Sequence, residues 1–239
     1  KRGIAFNDPA FTRFFDTGNS KIYWMYNWAS SVSPSAHATG FDFVPLLHSI
    51  RPDHTGPWLH DVDVNIRNCN WNVMSFNEPD QCGSSNGGAC MQNVGVTIAG
   101  YQQWIQPLLT KYGPGLKLGS PAVTNGAAPM GLDYLKRFIA GCSGCKIDFV
   151  AIHWYDSAKN IDYFKKHIQD AYRASGNRPV WITEFGPTGT EAEKINFLHQ
   201  VLPWLDNHDY VQRYAMFMAT PGELIKLDGS GLSAVGEAF

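Results

Sequence analysis

The sequence predicts an α/β fold, a single (β/α)8 barrel spanning residues 1–239, and three observations carry that prediction. Eight short apolar runs (3–7, 22–28, 41–48, 72–78, 117–123, 149–155, 179–185 and 214–219) are each bounded by polar, glycine or proline residues. Several are continuously apolar, as expected of parallel strands covered on both faces. Stretches of helical periodicity lie between the runs, and alternation of strand with helix calls for right-handed crossovers in a parallel sheet. The length of 239 residues suits a barrel of about 250 as well as it suits two small domains, but no repeat, low-complexity tract or charged linker divides the chain. With eight runs at this length, one closed barrel is favoured.

In chain order, the first run ends at Asn7 and the second carries Trp24, Tyr26 and Trp28 at two-residue spacing. Trp24 reads as core, while Trp28, nearest the strand's C-terminal end, reads as a stacking platform at the mouth. The segment 30–39, rich in Ser and small residues, reads as a loop. So does the stretch after the third run, where His48, Asp53, His54, His60 and Asp61 gather. A metal hydrolase is one reading of that cluster, but no His-x-x-x-His pattern on a helix accompanies it, and no metal is expected. The fourth run, Asn72-Val73-Met74-Ser75-Phe76-Asn77-Glu78, stops at Pro79, which has no amide hydrogen for a ladder. The loop 82–90 follows.

A helix over 97–112 places Ile98, Tyr101, Ile105, Leu108 and Leu109 on one face, and a second over 131–140 carries Leu132, Leu135, Phe138 and Ile139. In the sixth run His153 and Tyr155 are two apart, so their side chains share one face of the strand. The helix over 160–174 places Ile161, Phe164, Ile168 and Tyr172 together before Gly176 ends it. The seventh run, Pro179-Val180-Trp181-Ile182-Thr183-Glu184-Phe185, again closes on an acid. Thr190 and Glu193 then form a capping box ahead of Ile195, Leu198, Leu202 and Leu205.

Net charge is −2, from 19 basic and 21 acidic residues with no run of like charges, which argues against a nucleic-acid or acidic-membrane partner. No apolar run approaches the roughly 20 residues of a membrane span. There are five cysteines. Cys82 with Cys90, and Cys142 with Cys145, read as local disulfides pinning loops, and the expectation is an exported, extracellular or wall-associated chain freed of its leader. A redox pair or a zinc site is the rival, though no second pair with metal-finger spacing follows. Cys69 is left over and is expected to be a buried free thiol.

Two predicted strands that both end in glutamate form the central functional signal. Cleavage of a glycosidic bond needs one carboxylic acid to protonate the leaving oxygen and one carboxylate to attack carbon or activate water. By count Glu78 closes strand four and Glu184 closes strand seven. In a barrel both would stand on the rim where barrel enzymes keep their chemistry. Eight tryptophans fit stacking on sugar rings and fit a large aromatic core equally well.

At these residues the chain resembles glycoside hydrolase family 128, a family of β-1,3-glucanases. The resemblance runs through Lys1-Arg2-Gly3-Ile4-Ala5-Phe6-Asn7, Trp24 to Trp28, Asn77-Glu78-Pro79-Asp80, Ile147 to Tyr155, Trp181-Ile182-Thr183-Glu184-Phe185-Gly186 and Val201-Leu202-Pro203-Trp204-Leu205. It implies a retaining enzyme with Glu78 as acid/base, its pKa raised by the second carboxylate, and Glu184 as nucleophile. It also implies that Asn77 bonds the sugar hydroxyl beside the reacting carbon, and that His153 or Tyr155 bonds Glu184. Asn7 and Trp28 join the substrate-binding set. The expected partner is β-1,3-glucan or its oligosaccharides, with no cofactor, no nucleic acid or membrane, and a monomer in solution. Attack inside the polymer is favoured, since no large insertion marks a wall across one end of the cleft. Two departures stand out: His48 and Met216 occupy places where relatives commonly carry aromatics, which would thin the stacking surface. A barrel that grips β-glucan without cleaving it, lectin-like, is the non-enzymatic alternative, and retention of both glutamates argues against it.

Overall fold

The structure, a computed structural model, describes residues 1–32, 40–83 and 87–239. Residues 33–39 of the predicted loop at 30–39 and residues 84–86 of that at 82–90 lie outside the described residues. The chain runs β1 (Arg2–Ala5), a 3₁₀ helix (Pro9–Phe15), β2 (Ile22–Tyr26), β3 (Asp42–Phe43), α1 (Pro52–Arg67), β4 (Asn72–Val73), α2 (Val94–Trp104), α3 (Leu108–Tyr112) and β5 (Lys117–Val123). It continues through α4 (Gly131–Gly141), β6 (Phe149–Ser157), α5 (Ile161–Ala174), β7 (Val180–Thr188), α6 (Glu191–Asp206), β8 (Val211–Met216) and α7 (Ala234–Ala238).

The eight strands form one parallel sheet in the order β3-β2-β1-β8-β7-β6-β5-β4. It curls far enough for residues beside its two ends, Leu46 and Met74, to pack in one cluster with Trp24, Phe149 and Trp181 on the concave face. Among the described residues, β3 and β4 are joined by no ladder but by a single parallel bridge, Leu46 with Met74. Three backbone bonds span the same seam: Met74 N to Pro45 O at 2.9 Å, Asn77 N to His48 O at 3.0 Å and Leu47 N to Met74 O at 3.1 Å. Pro45 supplies no amide hydrogen, which helps explain why runs predicted at 41–48 and 72–78 become two-residue strands here.

Side chains divide into two layers. The concave layer is aromatic: Phe149 stacks on Trp181 at 3.8 Å and Trp24 on Tyr26 at 5.6 Å. Room for these rings comes from glycines. A Cβ at Gly3 would fall 2.2 Å from Trp24, and one at Gly119 would fall 2.5 Å from Phe149. The convex layer, between sheet and helices, is larger and mainly aliphatic and phenylalanine-rich, with Trp58, Phe138, Ile168 and Leu198 fully buried. Met216 belongs to this convex layer and is fully buried, so it takes nothing from the stacking surface; the next residue, Phe217, faces the cleft.

Three sequence expectations are corrected. The stretch holding Asp53, His54, His60 and Asp61 is helix α1, not a loop, with Trp58 and Val62 buried on its inner face. That helix scatters the His/Asp cluster. His54 Nδ1 pairs with the Ser49 hydroxyl at 2.7 Å, Asp61 accepts from Ser30 at 2.5 Å, and His60 is exposed. The helix expected over 97–112 is two helices, because Pro107 has no amide hydrogen to continue α2 and instead caps α3. Cys69 is exposed, carried outward in a turn after α1 where its φ is 64°. The pairs Cys82–Cys90 and Cys142–Cys145 are disulfides.

Candidate active site

At the C-terminal ends of the strands lies a cleft of about 750 Å³. Its wall includes Asn7, Trp28, Asn77, Glu78, Tyr155 and Glu184, six of the seven residues expected there. The seventh, His153, is only 1% exposed and lies beneath the two glutamates.

Glu78 follows the extension of β4 along β5. Asn77 bridges Ala122, and the Glu78 amide donates to the Ala122 carbonyl at 2.8 Å before the chain turns away at Pro79. Its φ is 42°, in the left-handed region where a non-glycine residue is strained. Asp80, two residues on, is buried and accepts from Thr124 Oγ1 and from the Gly131 amide, each at 2.7 Å. This ties the acid's turn to the β5–α4 loop, whose Thr124, Asn125 and Gly126 also line the cleft.

Glu184 lies within β7 and not at its end, since the strand runs on to Thr188. Its direction depends on a register shift. Ile152 pairs with Ile182, but His153 pairs with Glu184, so Thr183 is an extra residue, a bulge. Trp181 faces the concave side, and simple alternation from it would turn Glu184 toward the helices. The bulge reverses the alternation. Glu184 therefore enters the cleft while Phe185 packs in the convex layer.

Each oxygen of Glu184 has a donor. Trp28 Nε1 donates to Oε1 at 2.7 Å, and the Tyr155 hydroxyl donates to Oε2. Trp28 reaches it from a left-handed backbone position with φ 59°. His153 Nδ1 lies 2.7 Å from Glu78 Oε1, while its Nε2 faces Thr183 Oγ1 at 3.0 Å and Glu184 Oε1 at 3.4 Å. Of the two residues expected against Glu184, Tyr155 makes the short bond and His153 bonds chiefly to Glu78. Asn77 gives its amide nitrogen to the Gly87 carbonyl at 3.2 Å, and Asn7 Nδ2 faces Met218 Sδ at 3.7 Å.

Burial raises the Glu184 pKa, opposed by the charge of His153, reinforced by that of Glu78, and opposed again by the Tyr155 and Trp28 hydrogen bonds. For His153 burial works downward, but the charge of Glu184 and the bond and charge of Glu78 outweigh it and raise its pKa. A proton is therefore held in the cluster where His153 Nδ1 meets Glu78 Oε1. Glu78, His153 and Glu184 each offer an atom within 4.8 Å of the others, the geometry of a three-ligand metal cluster among the described residues. Their facing atoms are already committed to one another and to Trp28 and Tyr155. The donor set therefore suits a proton network better than an ion.

Sequence reasoning passed over the donor role of Trp28, the bulge at Thr183, and the walls made by Phe217 and by 124–126. A signal for the last was present: Thr124-Asn125-Gly126 directly follows a strand, the position where barrel loops carry function.

Comparison with known proteins finds relatives over nearly the whole chain. The family described as glycosyl hydrolase catalytic core matches residues 3–239. A curated relative, alkali-sensitive linkage protein 1 of Schizosaccharomyces pombe, is 31% identical over 258 residues covering 100% of this chain and 44% of the relative. The chain therefore spans less than half the length of that relative. Among solved structures, a curdlan-specific exo-β-1,3-glucanase of glycoside hydrolase family 128 subgroup III from Blastomyces gilchristii, in complex with glucose, superposes with a TM-score of 0.86 at 36% identity, covering 100% of this chain and 96% of the other. A subgroup I endo-β-1,3-glucanase from Amycolatopsis mediterranei in complex with laminaritriose gives a TM-score of 0.78 at 25% identity, with coverage of 100% and 97%.

Proposed function

This chain belongs to glycoside hydrolase family 128, within the glycosyl hydrolase catalytic core, and we propose that it hydrolyses β-1,3-glucan by a retaining double displacement. The observation that carries the mechanism is the approach of Glu78 and Glu184, one carboxylate oxygen of each lying within 4.8 Å of one of the other. Retaining enzymes hold their carboxyl groups about 5 to 5.5 Å apart, whereas inverting enzymes leave about 6.5 to 9.5 Å for a water. In the first step the Glu184 carboxylate attacks the anomeric carbon while Glu78 gives its proton to the departing oxygen. In the second, Glu78 removes a proton from water, the hydroxide attacks the same carbon, and Glu184 leaves as carboxylate.

The surroundings suit these roles. Trp28, Tyr155 and His153 favour the charged form of Glu184 against its burial. His153, bonded to Glu78 through Nδ1 at 2.7 Å, orients the acid/base. Asn77, Trp28 and Asn7 line the same cleft and are read as contacts to the sugar hydroxyl next to the reacting carbon, the sugar face and the rim. The bonds across the β3–β4 seam are read as closing the sheet into a (β/α)8 barrel, with residues 1–239 as one catalytic domain. No cofactor takes part, and the two disulfides suit an exported, extracellular or wall-associated monomer.

Attack within the polymer is the primary mode. Attack from a chain end is the second reading, favoured by the relative at 36% identity, an exo-β-1,3-glucanase. Products released early from curdlan and laminarin separate the two: a ladder of oligosaccharides for the first, glucose alone for the second. Anomer-resolved NMR of the first products tests the mechanism. Native protein should release the β-anomer, and Glu184→Gln and Glu78→Gln should each lose turnover by orders of magnitude while still binding glucan. Early α-anomer, or near-native turnover in either variant, removes the mechanism; binding without any product from the native protein leaves the lectin.

A further inference from the structure

Gly186 stands directly opposite Tyr155 in the β6–β7 register. A Cβ added there would lie 2.5 Å from Tyr155 Cε1 and 2.6 Å from Cδ1, so the tyrosine ring fills the place that a side chain at 186 would occupy. Backbone conformation does not demand the glycine, for Gly186 is absent from the residues with positive φ. A glycine within a strand, where it carries an entropic cost, marks a close approach by a neighbour.

The neighbour here is tightly held. Asn125 clamps the Tyr155 backbone, accepting from its amide at 3.1 Å and donating to its carbonyl at 3.1 Å. Phe217 meets the ring edge-on, with centroids 5.6 Å apart at 75°. With the backbone fixed and one flank occupied, a methyl at position 186 is accommodated only by rotation of the ring. Rotation lifts the hydroxyl from Glu184, two residues back along β7.

We propose that Gly186 is a positioning residue: by leaving its side-chain space vacant it seats the Tyr155 ring across β7 and so delivers the Tyr155 hydroxyl to Glu184. The proposal rests on the reading of Glu184 as nucleophile. It assigns Gly186 no contact with substrate.

A double-mutant cycle on the full chain tests it, with kcat, KM and the pH profile of kcat/KM measured on laminarin. Gly186→Ala should lower kcat roughly 10- to 100-fold, the loss expected for one hydrogen bond to a charged group, with a smaller change in KM. Since the Tyr155 bond lowers the Glu184 pKa, its loss should move the acid limb to higher pH, as Tyr155→Phe does. Added to Tyr155→Phe, Gly186→Ala should change neither quantity by more than about twofold. Equal losses in both backgrounds, or no loss in the native one, would overturn the proposal. Should Gly186→Ala alone fold poorly, Tyr155→Ala must restore its Tm by removing the ring, and failure to do so overturns the proposal as well. Glu184→Gln, run in parallel, reports on the nucleophile independently: near-native turnover there ends the mechanistic reading while the Tm rescue still judges the contact.

Discussion

Glu184 draws its two hydrogen bonds from opposite sides, Trp28 after β2 and Tyr155 on β6. These donors oppose the upward push of burial on its pKa, so removal of either pushes the pKa higher and leaves less carboxylate at a given acid pH. Trp28→Phe keeps an aromatic ring and deletes the Nε1 donor. It should move the acid limb of kcat/KM to higher pH and lower the plateau on the order of tenfold, which a pH–rate series from pH 3 to 8 checks. A tryptophan that served as a sugar platform alone would change KM and leave the limb in place. At this scale the sequence was legible for the acids themselves and for Tyr155, which strand parity put on one face with His153. It was not legible for Trp28, whose indole reaches Glu184 only because the backbone turns into the left-handed region at that residue. His153 sits between these cases: the motif located it, but its preference for Glu78 depends on sub-ångström differences in its distances to three buried oxygen atoms.

Among the elements, α6 was legible to its cap. Thr190 Oγ1 accepts from the Glu193 amide at 3.3 Å and the Glu193 carboxylate accepts from the Thr190 amide at 2.9 Å, the reciprocal pair that the Thr-x-x-Glu spacing implies. Thr190→Ala should cost about 1 kcal/mol of stability, read as a lower urea midpoint with unchanged slope and with unchanged kcat. Helix α1 shows the opposite case. Its inner face carries Trp58, fully buried and bonded through Nε1 to the Trp104 carbonyl at 3.0 Å, and this tertiary anchor holds as helix a stretch that read as a loop. The bulge in β7 is harder still to read. One residue more or less in a ladder reverses every side chain beyond it, and the choice is made by neighbours: Thr183 O accepts from Tyr26 at 2.8 Å and Thr183 Oγ1 meets His153.

For the whole molecule, the concave layer sets the tolerance of the sheet to change. Phe149 lies against Trp181 and over Gly119, so Gly119→Ala forces a methyl into a ring 2.5 Å away with no solvent to yield. Its cost should be about 1 to 3 kcal/mol, seen as a lower Tm, with the aromatic near-ultraviolet circular dichroism of the stacked rings altered. From the sequence alone followed the parallel α/β architecture, the two glutamates, the two disulfides and the family, because hydrophobic period, cysteine spacing and short motifs are local properties of the chain. The tertiary structure decided the rest: the distance between Glu78 and Glu184, the imidazole held between them, the turn of Glu184 into the cleft and the seat of Tyr155 over Gly186. Each of these depends on register and packing between segments more than 25 residues apart, and sequence periodicity carries no information about how two such segments are offset against each other.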